Sequence, residues 1–463
     1  SMKQRKHPQA LSFLFLSEMW ERFGYYLMIG IFTLYLKDAK TKYGFEMSEA
    51  ESASLYGTFI ALVFFTPFIG GLLADRILGY RIPIVIGGLL MGAGYCMMGI
   101  HSYSMLYSGM VLVIAGNGLF KPNISTLLGN LYNDDRYRDQ KDEGYNIFYM
   151  GINIGAFVCN IVSAFLINKY GYAVAFVGAG IGMFVGVAVF LLGNKHYVAG
   201  DVKKVAVPGE KAWWIDLMIV VVPAVLFAMI GYFINGVPSA TNEHSYLVKD
   251  DVTDAFLFAC IPVIFFFGYV LFTSPKNERR VVGAILVVCL AVIPFWAIFK
   301  QNGTVLNTWA NNYTNRDVPQ SVKGGLKAMY LADTIPYRQK DSLPVLDQQF
   351  RKVGDEIATQ YPPYFKNYQH TGQLKEGQNV VVFNTNIFQS VNPFWVIVLT
   401  PLIVAIFRFL RVRKLEPSIP VKMTLGLFIT GLSCLVMVAA ANASMNGEIK
   451  SSYWWFLVAY GVI

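Results

Sequence analysis

Glu18, Glu21, Arg22, Tyr25 and Tyr26 lie at i, i+3, i+4, i+7 and i+8 within an otherwise apolar run. That spacing puts two carboxylates, a guanidinium and two phenols on one face of a helix. A charged side chain at the centre of a bilayer costs about 2.5–3.5 kcal/mol on insertion scales, so the face must meet a partner or a wet cavity and not lipid. A structural ion pair, Glu18 with Arg22 at i,i+4, is the plainest use of these residues. The charge exceeds that use, because Lys121 and Lys300 are also stranded in apolar runs. Burial makes a carboxylate hold its proton more tightly and a nearby cation loosens that hold, so Glu18 and Glu21 are candidate proton carriers. Arg22 keeps its charge, and its planar fork matches a carboxylate in two-pronged geometry, which makes it the candidate anchor for an acidic group on a ligand. A ligand carboxylate that takes Arg22 from a glutamate changes that glutamate's hold on its proton, so ligand and proton occupancy are coupled.

Other polar groups interrupt the apolar runs. In Gly116-Asn117-Gly118-Leu119-Phe120-Lys121-Pro122-Asn123, Pro122 removes a backbone donor beside Lys121, which predicts a break with carbonyls open to a ligand or cation. Asn146, Tyr149, Asn153 and Asn160 form a polar stripe that helix packing explains as readily as ligand binding. Phe295-Trp296 and Phe299-Lys300-Gln301-Asn302 bring aromatic and amide groups to the end of a run, either an interfacial anchor or a pocket wall. Asn392, in Ser390-Val391-Asn392-Pro393, is a helix cap or a ligand contact. None of the five histidines falls in the centre of an apolar run, so carboxylates and not imidazoles must carry protons.

The elements that position these residues follow from composition. The chain has 463 residues, 55% hydrophobic and only 14% charged, with a mean hydropathy of +0.45; a soluble domain carries about 25% charged residues. With about 20 apolar residues as the length needed to cross a bilayer, spans are expected near 11–36, 52–74, 82–100, 104–128, 144–168 and 172–193, then near 212–233, 254–273, 281–301, 387–410 and 420–441. A run from Tyr453 stops at Ile463, which reads as a twelfth span cut short. The net charge of +9 belongs to short loops between apolar runs and not to a basic face for nucleic acid. With the N-terminus inside, the short cytoplasmic loops hold twenty Lys and Arg against six on the other side, the expected asymmetry. Residues 303–386 then lie outside as a polar insertion, a small domain or a lid. All five cysteines sit in apolar segments, so no disulfide or metal site is expected. Lys3, Arg5 and Lys6 before the first run imitate a signal peptide, but the run lacks a small-residue cleavage pattern and reads as a retained first helix. Thr66-Pro67-Phe68-Ile69 and Thr400-Pro401-Leu402-Ile403 echo each other faintly, as internal repeats of transporters do.

Four motifs in order carry a family resemblance. Glu18-Met-Trp-Glu21-Arg22-Phe-Gly-Tyr25-Tyr26 resembles the ExxERFxYY motif of the proton-dependent oligopeptide transporters, a branch of the major facilitator superfamily. Gly70-Gly71-Leu-Leu-Ala-Asp75-Arg76-Ile-Leu-Gly79 is similar to that branch's loop between helices two and three. Lys121-Pro122-Asn123 resembles its fourth-helix motif, and Phe148-Tyr149-Met-Gly-Ile-Asn153-Ile-Gly155 its FYxxINxG signature. The likeness runs from about residue 11 to the end.

The resemblance implies an all-α polytopic membrane protein of the major facilitator fold, two six-helix bundles plus two extra helices between them, with the last helices missing from this chain. The division it implies is 1–193 for the first bundle, 194–280 for a linker with the two additional helices, and 281–463 for an incomplete second bundle carrying the outer insertion at about 303–386. It implies a symporter of di- and tripeptides and protons in a bacterial inner membrane, monomeric, with no cofactor, metal, nucleic acid or enzyme activity. By resemblance Glu18 and Glu21 move protons, and Arg22, Tyr25, Tyr26, Lys121, Asn153, Trp296 and Asn392 bind substrate. Gly71, Asp75, Arg76, Pro122 and Lys300 belong to gates and structural motifs. Lys300 and Ile29 stand where many family members carry an acid and an arginine that pair at the outer gate. The family's tenth helix supplies an acid for the peptide amino group, and this chain stops before it. The alternatives are a transporter of another small anionic or zwitterionic solute, such as nitrate or an amino-acid conjugate, and a membrane-anchored enzyme built on residues 303–386.

Overall fold

The computed structural model describes residues 7–40, 43–203, 213–234, 251–338, 341–346, 352–358 and 361–462. Lys3, Arg5, Lys6, Lys42, Lys204, Lys211 and Lys249 of the loop charge asymmetry lie outside the described residues, as do 204–211 of the basic linker and Ile463.

Six long helices form first: α1 (Ala10–Lys37), α2 (Glu49–Leu73), α3 (Arg81–Met98), α4 (Tyr103–Leu131), α5 (Lys141–Tyr170) and α6 (Tyr172–Leu192). Ser48 starts α2 with a capping box: its Oγ accepts from Glu51 N at 3.2 Å, and Glu51 Oε2 accepts from Ser48 N at 2.8 Å, which satisfies two otherwise orphan donors. A wider π turn, Ala74–Leu78, closes α2, and Gly79 at φ +73 reverses the chain into α3, a conformation that costs glycine nothing. The six helices enclose one continuous core with Phe32, Tyr35, Phe59, Tyr95, Phe120 and Phe176 fully buried. Small residues set their spacing. A Cβ on Gly70 would overlap the carbonyl of Gly118, so α2 and α4 approach backbone to backbone, the packing mode that membrane helices favour.

Next come α7 (Trp213–Phe233) and α8 (Asp251–Thr273), packed against each other, and then α9 (Lys276–Phe299). After the outer segment follow α12 (Val391–Val412), α13 (Ile419–Ala443) and α14 (Tyr453–Val462). Among the described residues, nine helices are long and apolar enough to cross a membrane, and the apolar stretches of α8 and α9 bury nothing inside the protein, as a lipid-facing surface requires. The charged α1, of 28 residues, and α7, of 21, are long helices outside those nine.

The segment 303–386, expected as an outer domain or lid, contains among the described residues short pieces: α10 (Val305–Thr308), α11 (Gln320–Ala328) and five strands, β1 (Thr314–Asn315), β2 (Ala332–Tyr337), β3 (Asp341–Leu346), β4 (Lys352–Ala358) and β5 (Gln378–Phe383). β2 pairs antiparallel with β5 from Ala332–Phe383 to Tyr337–Gln378, and β3 pairs antiparallel with β4. β1 pairs parallel with β6 (Ser451–Ser452), in the turn before α14. A small core of Tyr364, Phe365, Tyr368 and Val382 holds the segment together.

Candidate functional site

The face of α1 is buried against its neighbours. Glu18, Glu21 and Arg22 retain 2%, 0% and 4% of their exposure, so none of them meets lipid. Close packing fixes their depth, because Gly155 of α5 lies under Arg22 and Gly186 of α6 under Glu21. Arg22 Nε donates to Glu18 Oε1 at 2.9 Å and lies 2.6 Å from Glu21 Oε2. One guanidinium nitrogen thus serves two carboxylates. Arg22 Nη2, Glu18 Oε2 and Glu21 Oε1 are buried without a hydrogen-bond partner among the described residues. Buried polar atoms are normally satisfied, so orphans of this kind mark a place for a proton, water or ligand. The Arg22 guanidinium also sits 5.5 Å from the centroid of the Tyr25 ring, which packs edge-on against Tyr26. The Tyr25 hydroxyl is a further buried group without a partner.

Lys121 of α4 and Lys300, at the end of α9, converge on one ring. Their Nζ atoms lie 4.3 and 4.4 Å from the centroid of Phe64 on α2. Neither ammonium has a carboxylate within ion-pair distance among the described residues; electrostatically Lys121 feels Arg22, Glu21 and Glu18, and Lys300 feels Lys121 and Arg22. Trp296 flanks them, 6.1 Å from the Phe64 ring and 5.5 Å from the Lys300 ammonium. The structure therefore gathers Glu18, Glu21, Arg22, Tyr25, Tyr26, Lys121, Trp296 and Lys300 into one neighbourhood. Phe64 is the member that sequence reasoning missed, because a phenylalanine in an apolar run carries no signal of its own.

Other candidates make contacts of their own. Asn153 Nδ2 donates to the Tyr149 carbonyl at 3.0 Å and Asn160 to Ala156 at 3.1 Å, so both amides bond to their own helix. Asn392 occupies the first turn of α12, and its side chain makes no hydrogen bond among the described residues. The break expected at Pro122 does not occur: α4 runs unbroken from Tyr103 to Leu131. The carbonyl that proline frees is that of Gly118, and it lies against Gly70 of α2 and not a cavity. Asn123 Nδ2 reinforces the place, donating to Leu119 O at 2.7 Å and to Gly70 O at 3.3 Å. Gly71 faces Pro122. Asp75 accepts from the Tyr80 hydroxyl at 2.7 Å, with Arg76 in the same π turn. Asp201 caps the adjoining helix start by accepting from Tyr80 N at 2.6 Å.

A second set of polar contacts joins the first six helices to the later part of the chain, at the end that bears the outer segment. Thr33 Oγ donates to Gly303 O at 2.9 Å and accepts from Asn307 Nδ2 at 3.1 Å. Lys37 Nζ, Glu49 and Thr308 form a closed triangle of bonds at 2.8–3.1 Å. Ser390 Oγ donates to Phe157 O at 3.0 Å. Neutral groups and the Lys37–Glu49 ion pair thus join the two parts at this end.

A family model described as the POT family matches residues 81–323 and 368–463. The chain belongs to the POT family, whose members are transporters and not enzymes, and it has the major facilitator fold of its structural neighbours. It is 28% identical to Dipeptide and tripeptide permease A of Proteus mirabilis over 100% of this chain and 78% of that protein. It is 27% identical to the Di-/tripeptide transporter of Lactococcus lactis over 97% of this chain and 79% of that protein. Among solved structures, peptide transporter POT in complex with sulfate superposes with a TM-score of 0.69 at 26% identity, covering 98% of this chain and 79% of the other. A mutant of peptide transporter POT in complex with alafosfalin gives 0.70 at 28% identity over the same shares.

Proposed function

We propose that this protein imports di- and tripeptides with protons, as a monomeric symporter of a bacterial inner membrane with its N-terminus in the cytoplasm. The observation that carries the proposal is the arrangement of Arg22, Glu18 and Glu21: one buried guanidinium shared by two carboxylates, with donor and acceptor atoms left over. Two relatives named as di- and tripeptide transporters, similar along nearly the whole chain, support the choice of cargo.

In this reading residues 1–193 form one rocking body and 281–463 the other, joined through 194–280, and they alternate around a site at mid-membrane depth. The peptide carboxylate draws Arg22 and Lys121 toward itself, and Tyr25, Tyr26, Asn153, Trp296 and Asn392 line the space for its side chains. Once Arg22 is engaged, Glu18 and Glu21 lose their shared cation, and a proton takes its place. Peptide and proton therefore enter together, each favouring the other by the same coupling free energy. The contacts of Thr33, Gly303 and Asn307 close the outer side, and the Gly71–Asp75–Arg76 turn guards the inner one.

The test is uptake of labelled Ala-Ala by proteoliposomes under an acid-outside pH gradient. The expected result is accumulation above the outside concentration, abolished by a protonophore and competed by other dipeptides. Accumulation that is indifferent to the protonophore, or competition by nitrate or amino-acid conjugates but not by dipeptides, contradicts the proposal.

A further inference from the structure

Resting on the peptide-transport reading, the inference concerns which peptides the site selects. Three cations, Arg22, Lys121 and Lys300, share the neighbourhood with two carboxylates, Glu18 and Glu21. Both carboxylates are held by Arg22. The two ammonium groups, by contrast, come from different halves of the molecule, and among the described residues neither makes an ion pair: Phe64 faces both, Trp296 and Phe299 also lie beside Lys300, and of the two only Lys121 feels the glutamates electrostatically. They are no farther apart than the sum of their distances to the ring centroid, and each raises the cost of the other's charge. A ring face attracts a cation, but it is a quadrupole and cannot neutralise one charge, let alone two. Phe64 is 41% exposed and Trp296 45%, so the ring pair is not sealed core and a ligand group can reach it.

A zwitterionic dipeptide brings one negative and one positive charge and leaves this surplus as it stands. Its backbone carboxylate can satisfy Arg22 and Lys121, but Lys300 then still lacks a counter-charge. A peptide with a second carboxylate brings a net negative charge, and that carboxylate falls one side chain away from the first. From this geometry we infer that Phe64, Lys121 and Lys300 form a side-chain subsite for a carboxylate, and that the protein prefers acidic dipeptides over their neutral isosteres. The subsite joins the two halves, so an acidic side chain also bridges α2 and α4 to α9 and favours the state in which they meet.

The experiment compares Ala-Glu with Ala-Gln, which differ only in carboxylate against amide, as inhibitors of labelled Ala-Ala uptake by the full chain in proteoliposomes. Ala-Glu is expected to inhibit about tenfold more strongly than Ala-Gln, the effect of one hydrogen bond to a charged group. In Lys300→Gln the ratio should fall towards one. In Lys300→Glu it should invert, with Ala-Lys becoming the best of the three, and Lys300→Arg should retain the preference. Equal inhibition by Ala-Glu and Ala-Gln in the unaltered protein overturns the inference without any variant having to fold, as does a preference that survives in Lys300→Gln and Lys300→Glu. If no dipeptide is transported or inhibits, the peptide reading itself fails, an outcome distinct from a protein that takes both peptides alike.

Discussion

Two buried clusters of charge in this molecule are built on opposite principles. In the outer segment, Arg316 Nη1 donates to Phe383 O at 2.7 Å and lies 3.8 Å from Asp333, while its backbone N–H donates to the Tyr364 hydroxyl. Lys450, in the turn before α14, donates to Asn312 O at 2.8 Å and covers the Tyr364 ring at 4.2 Å. Asp317 accepts from the Tyr364 and Tyr368 hydroxyls. Nearly every charge meets a fixed partner, most often a backbone carbonyl or a phenol, and the result pins the segment to β6 and the end of α13. In the membrane, two carboxylates share one nitrogen of Arg22, and among the described residues Lys121 and Lys300 make no ion pair and lie against rings. A satisfied network rigidifies, whereas a half-satisfied one is costly and persists where its unfilled positions have a use.

The comparison is sharpened first by removing the central arginine of the membrane cluster. Arg22→Ala deletes the ligand anchor and leaves two buried carboxylates uncompensated. Dipeptide binding should weaken by about tenfold to a hundredfold, from the loss of hydrogen bonds worth about 1.5–3 kcal/mol, as read by equilibrium binding to detergent-solubilised protein. A binding constant within a factor of two of the unaltered protein would remove Arg22 from the site.

A smaller effect is expected where the halves meet at the outer end. Thr33→Val and Asn307→Ala together remove two neutral hydrogen bonds, each worth about 0.5–1.5 kcal/mol. Cysteine-labelling rates from the outside at Ser390→Cys, a buried position on the same seam, should rise several-fold, because the outward-closed state loses that support. An unchanged rate would show that the bonds do not contribute to closure.

The smallest effect concerns Lys450, which lies outside the membrane-spanning helices. Burial, with a second contribution from Arg316 and opposed by Asp317, brings its pKa down from 10.5 to about 7. Between those values the unfolded chain binds more protons than the folded one, so stability rises with pH across that window. The melting temperature of the unaltered protein relative to Lys450→Met should therefore increase between pH 7 and 9. A constant difference would show that Lys450 keeps its charge throughout.

The helices were largely legible in the sequence, since long apolar runs leave little freedom. The expected spans at 172–193 and 212–233 match Tyr172–Leu192 and Trp213–Phe233 within a residue. The charged face of α1 was legible too, because i, i+3 and i+4 neighbours are fixed by helix geometry alone. Three things were not. The meeting of Lys121 and Lys300 on Phe64 depends on how α2, α4 and α9 pack, and no local spacing records it. The unbroken course of α4 through Pro122 depends on the partners of the freed carbonyl, a tertiary matter. The strands of residues 303–386 are short and weakly patterned, and β1 finds its partner more than a hundred residues away in β6.

The central claim is that Glu21 carries the coupling proton while Arg22 carries the peptide. It is tested most directly by Glu21→Gln in proteoliposomes, with two assays on the same preparation: accumulation of dipeptide under an acid-outside gradient, and counterflow exchange with no gradient. The account predicts that accumulation is lost while exchange remains measurable, because the amide keeps the shape of the site and removes only its ability to gain and lose a proton. Concentrative, gradient-driven uptake by Glu21→Gln at the rate of the unaltered protein would contradict it.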